Sequence, residues 1–188
     1  VTMTAAAPVL SDRHRPAFDA FMANRREPDK LSRLRREAFE RFEALGWPNR
    51  QQEAWRFTDL SALQSLALQR AADAPVEAAA LPTLDTAIHR LVFINGRFAP
   101  GLSKLTELPE RTVIASLGQV LAADPQAVQN QLDQLPGLAQ HPFTALNGTF
   151  WEDGAFIYLL PGAVLDHPIH IIFHATGGDT AVYPRLLV

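Results

Sequence analysis

Cysteine is absent from this 188-residue chain, so disulfides, thiolate nucleophiles and Cys-ligated zinc or iron–sulfur centres have no ligand within it. Long apolar runs are missing too: none approaches the roughly 18 residues that a membrane-spanning helix requires. The opening Val1-Thr2-Met3-Thr4-Ala5-Ala6-Ala7-Pro8 lacks the charged and then apolar regions of a secretory leader, so a cytoplasmic setting is the expectation. Charge of one sign is also lacking. A net charge of −3 and a pI near 6.1 offer no broad basic face, and nucleic acid and membrane are not expected partners. Nor is there a Walker loop, a dinucleotide glycine fingerprint or a nucleophile elbow. These absences leave no self-contained active site, and the chain reads as non-catalytic, with no catalytic, cofactor-binding or metal residue assigned.

What is present is a chain that can bury a core, at 47% hydrophobic. Its basic residues crowd into the first third, from Arg13 to Arg56, with Arg35 among them. Glu37, Glu40, Glu43 and Glu53 are interspersed, the pattern of a solvated helix surface. A nucleic-acid binder built on these arginines and Trp55 is the weaker reading. Arg15-Pro16 predicts a helix start followed by Phe18, Phe21 and Met22 at helical spacing. Asp29 is placed as the N-cap of a second helix whose apolar stripe is Leu31, Leu34, Ala38, Phe42 and Leu45, closed by Gly46 and Pro48.

The stretch Glu53-Ala54-Trp55-Arg56-Phe57-Thr58-Asp59-Leu60 has two readings. Trp55 and Arg56 can stack on and pair with a nucleotide, or Trp55 and Phe57 can anchor a helical hairpin while Arg56 pairs with Glu53. The absence of a phosphate cradle favours the second. Thr58 or Asp59 is a candidate cap for the turn that follows. Residues 71–82, rich in Ala and Pro, read as a connector.

Leu91 to Ile94, then Asn95-Gly96, then Arg97-Phe98 form a hairpin signature, because both central positions of its turn need positive φ. Val113-Ile114-Ala115 is a further strand. Ser116 to Leu121 and the segment opening at Asp124-Pro125 read as short helices, with a break at Pro136-Gly137. His141 to Asn147 begins a last helix carrying Phe143, Leu146 and Phe150 on one side. From Asp153 onward the chain is short apolar runs punctuated by Gly, Pro and Asp.

His167, His170 and His174 invite a metal reading. On a strand, however, His170 and His174 lie about 13 Å apart, too far to share an ion within that strand, which leaves a site assembled from neighbouring strands as the weaker alternative. Glu152-Asp153 could serve acid–base chemistry, in a β-helical or sandwich carbohydrate-active enzyme. Asp before Gly is also ordinary turn chemistry. Phe156 to Leu160 and Ile169 to Phe173 are nearly continuous in apolarity, as suits strands covered on both faces or stacked in a solenoid.

Taken together, several of these motifs resemble one family. The segment from Glu53 to Leu60 is similar to its E-x-W-R-[YF]-T-x-L pattern, and Phe93-Ile94-Asn95-Gly96-Arg97-Phe98 to its V-x-N-G-x-F hairpin. Phe143 to Asn147, Asp153 to Ile157, Pro161-Gly162, Pro168-Ile169 and Pro184-Arg185 follow in the family's order. The family is that of the SufB and SufD subunits of the Suf iron–sulfur cluster assembly scaffold, and the Leu146-Asn147 to Asp153-Gly154 pattern leans toward SufD.

The resemblance implies an α+β chain. An N-terminal helical region with a small hairpin, residues 1–140, would lead into the first coils of a right-handed parallel β-helix, residues 141–188. It implies a non-catalytic scaffold with a SufB-like subunit and a SufC-like ATPase as partners. Iron or cluster would be handled by the assembled complex, with no cofactor in this segment. The chain is expected to be the front piece of something longer, with an exposed apolar coil edge and a tendency to form homodimers when isolated.

Overall fold

The computed structural model describes residues 11–23, 25–65, 69–71, 76–77, 81–82, 89–132, 141–178 and 180–188, with the backbone alone at 11–13, 65, 69 and 70. The predicted break at Pro136-Gly137 and most of the 71–82 connector lie outside the described residues. Two compact units emerge. One is Val1–Ala67 with Pro136–Phe150; the other is Leu68–Leu135 with Trp151–Val188. This division interleaves the chain where the sequence suggests a single boundary near residue 140. The helix after residue 141 packs on the early helices, and the early strands pair with the late ones.

In the first unit, α1 (Ser11–Ala23), α2 (Asp29–Leu45) and α6 (Pro142–Phe150) surround an aromatic core, with the short α3 (Ser61–Ser65) following a 3₁₀ turn at Glu53–Trp55. Phe18 stacks on Phe39 at 4.2 Å between ring centroids, and Phe150 meets Phe18 and Phe21 edge-on. Phe39 and Phe42 are fully enclosed, each burial contributing about 1.5–3 kcal/mol.

Three sequence expectations change here. Pro16 lies inside α1 rather than at its start, so the helix begins a turn earlier and forgoes one backbone hydrogen bond. Asp29 is the first helical residue of α2 and not its cap. Pro28 holds the N-cap position without a side-chain bond, and its carbonyl accepts the N–H groups of Leu31 and Ser32. The buried stripe of α2 is Leu31, Arg35, Phe39 and Phe42, so Arg35 is a core residue and not part of a solvated face. Gly46 does end the helix as expected, with φ 67° and its N–H on the Phe42 carbonyl.

The second unit is built from small mixed sheets, three strand pairs parallel and two antiparallel. Strand β2 (His89–Ile94) runs antiparallel to β3 (Arg97–Phe98) through the Asn95-Gly96 turn, with φ 51° and 79° at its two central residues. That is the geometry the Asn-Gly pair predicts. On its other side β2 pairs in parallel with β6 (Ile169–His174), His89 opposite Ile169. Strand β4 (Thr112–Ser116) runs antiparallel to β5 (Gly154–Leu159), which pairs in parallel with β8 (Arg185–Leu187). A third sheet joins β1 (Gln69–Arg70) to β7 (Thr180–Ala181), again in parallel. The helices α4 (Leu117–Ala123) and α5 (Pro125–Leu132) lie between β4 and the last helix in sequence.

Leu91 and Phe93 of β2, Ile114 of β4 and Ala155 and Ile157 of β5 form one core, with Ile169 and Ile171 of β6 packed against it. Val92, Ile94 and Ile172 form a second core with Leu81. Successive residues of β2 therefore bury opposite faces, which is why Leu91 to Ile94 are continuously apolar instead of alternating. Successive strands β5, β6 and β7 lie in three different sheets, and β8 returns beside β5. In the sheet orders β6, β7 and β8 each hold an edge, and Leu186 and Val188 are exposed near one of them.

Candidate functional site

The densest polar centre of the second unit is the Asp153 carboxylate. Its Oδ1 accepts hydrogen bonds from Ser116 Oγ at 2.7 Å, from the Gly118 N–H at 2.9 Å and from the Gly154 N–H at 2.7 Å. Its Oδ2 accepts the Phe98 N–H at 2.9 Å. Ser116 also accepts the Gln119 N–H at 3.1 Å, which makes it the N-cap of α4. One side chain thus ties β3, the end of β4, the start of α4 and the start of β5. The four partners are all hydrogen-bond donors, two backbone N–H groups of glycine, one of Phe98 and the Ser116 hydroxyl. Glu152 is half-buried beside it.

Gly154 serves a different need from that of an ordinary turn glycine. A Cβ at this position would lie 1.7 Å from the Arg185 carbonyl oxygen and 2.6 Å from its carbon. The missing side chain is what lets β8 approach β5 in register, Gly154 opposite Arg185. Arg185 lays its guanidinium over the Trp151 ring at 5.6 Å. Desolvation holds the Arg185 guanidinium below its ordinary pKa, and burial pushes the Tyr183 phenol up to about 12.

The histidines do not converge. His170 and His174 both lie on β6, opposite Arg90 and Ile94 of β2, and His167 precedes the strand. Among the described residues no group of three or more His, Cys, Asp or Glu side chains is placed to hold a metal ion. His170 Nδ1 and Arg90 Nε are buried without a hydrogen-bond partner. Asn95 completes the β2–β3 turn by exchanging two 2.8 Å hydrogen bonds with Thr176, just past β6.

In the first unit the polar centre is Glu27. Arg35, with no exposed side-chain surface, donates from Nε to both Glu27 oxygens at 3.0 Å and from Nη1 to the Thr149 carbonyl at 2.9 Å. Ser32 Oγ and Arg25 Nε complete the set at 3.1 Å each. The α1–α2 connection is thereby fixed to the C-terminal turn of α6.

The turn at Glu53–Leu60 divides its aromatics. Trp55 packs against His141 and Phe143, each at 5.5 Å, while Phe57 is 84% exposed. Trp55 is the anchor the sequence suggests, but Phe57 is not. Two positions on in a tight turn, its side chain leaves in another direction. Arg56 pairs with Glu53 at 3.5 Å, as expected, and stacks over Phe57 at 4.5 Å. Asp59 Oδ1 accepts the Ser61 N–H at 2.9 Å, and this bond holds its carboxyl below the usual range. Among the described residues no helix is long and apolar enough to cross a membrane.

Sequence reasoning misses the two carboxylate hubs for different reasons: Phe98, Ser116 and Gly118 lie 35 to 55 positions from Asp153, whereas Arg25, Ser32 and Arg35 are near Glu27 in the chain but their charge pattern reads as a solvated helix surface. Asp153 is read there as a turn residue or, with Glu152, as an acid–base candidate, and Glu27 is not singled out. The one local signal is Ser116 directly before an apolar helix start, the mark of a cap.

These features define two units of helices and small mixed sheets in which buried side-chain chemistry fixes helix ends and strand register. The sequence profile described as the SufBD protein N-terminal region matches residues 19–171. The chain belongs to the SufB/SufD family. It is 31% identical over 172 residues to an iron-sulfur cluster assembly SufBD family protein of Synechocystis sp., covering 89% of this chain and 38% of that protein. A second SufBD family protein of the same organism is 28% identical over 85 residues, 45% of this chain and 17% of the relative. The chain therefore spans well under half the length of these relatives.

Proposed function

We propose that this chain is the N-terminal part of a cytoplasmic SufD-type scaffold subunit for iron–sulfur cluster assembly, non-catalytic in itself. It would act with a SufB-like subunit and a SufC-like ATPase. The observation that carries the reading is the family match over residues 19–171. The SufD assignment rests on the pattern from Leu146-Asn147 to Asp153-Gly154. The engagement of Asp153 by four donors supports an architectural role for that motif. With no cysteine in the chain, thiolates that hold a cluster come from other residues of the complex.

The fold we propose for the second unit is the beginning of a parallel β-helix. Three observations support it: the passage of β5, β6 and β7 through three sheets, the return of β8 beside β5, and the parallel pairing of β1, β2 and β5 with later strands.

The test is co-expression of the gene product with a SufB-type and a SufC-type protein. The expected result is a co-purifying complex that transfers cluster to an apo-ferredoxin only when all three are present. Failure to associate, or cluster assembly or ATP hydrolysis by the isolated product, overturns the proposal.

A further inference from the structure

We draw no further inference here: the strongest candidate, the exposed Phe57 ring carrying the Arg56 guanidinium at the turn before α3, is a single apolar projection, and nothing in the structure shows what covers it.

Discussion

Substituting Gly154 with Ala should unseat β8, and three glycines allow the cause to be isolated. At Gly154 the added Cβ meets the Arg185 oxygen at 1.7 Å and its nitrogen at 2.8 Å, where contacts under 3.0 Å require something to shift. Both neighbours are backbone, so β8 must retreat by more than an ångström and abandon its register with Gly154–Phe156. Overpacking of this kind costs about 1–3 kcal/mol. Losing the seating of Leu187, which is buried, adds about 1.5–3 kcal/mol. Together these give about 2.5–6 kcal/mol.

Gly162→Ala is the first control. It has φ 86° but nothing within 4 Å of the new Cβ, so it should lose only the left-handed backbone cost of about 1–2 kcal/mol. Gly101→Ala is the second, with open space and no positive φ. It should be neutral or stabilising by about 0.4–1 kcal/mol. Urea unfolding orders the three, and amide exchange at Leu186 and Leu187 should accelerate in Gly154→Ala alone. Equal losses at Gly154 and Gly162 would refute the close-approach argument, leaving backbone conformation as the whole effect.

Asp153→Ala strands four donors; at about 1–3 kcal/mol for each that water cannot reach, a loss of about 3–5 kcal/mol is expected in urea titrations, and a loss under 1 kcal/mol would deny the hub. Arg35→Met leaves Glu27 buried without its main partner and should cost about 3–5 kcal/mol, much of it recovered by adding Glu27→Gln; no recovery in the double variant would show that packing, not charge, is what Arg35 supplies. Tyr183 is held neutral by burial, up to about 12. The stability this confers is full below pH 10 and fades as pH rises through the folded value. Wild type should therefore lose up to about 2–3 kcal/mol relative to Tyr183→Phe between pH 9 and pH 12. Parallel pH profiles for the two proteins would contradict that burial.

Features governed by near neighbours were legible in the sequence. The Asn95-Gly96 turn demands positive φ from two adjacent residues, and α2 ends where Gly46 and Pro48 say it should. Strand β5 announced itself by an apolar run, although only Gly154 to Ile157 are buried and Tyr158 and Leu159 are exposed. The centre of α2 was misread because an arginine fills a core position, and periodicity assigns any charged residue to solvent. The carboxylate of Glu27 and the carbonyl of Thr149, 114 positions from Arg35, help make that burial tolerable. Asp153 and Gly154 were recognised as punctuation, yet what they hold in place, Ser116, Gly118, Phe98 and Arg185, depends on strand pairing that no local pattern specifies.

The interleaving of the two units has a consequence for synthesis. Arg35 waits for Thr149, His89 for Ile169 and Gln69 for Thr180, so neither unit can close until the late part of the chain has left the ribosome. Until then β2, apolar on both faces, has its short hairpin partner β3 and the bridge from Arg90 to Lys104, but not β6. Long-range parallel pairing of this kind folds slowly, and the nascent chain spends that interval with its most adhesive segment uncovered. Both units therefore depend on contacts between segments far apart in the chain.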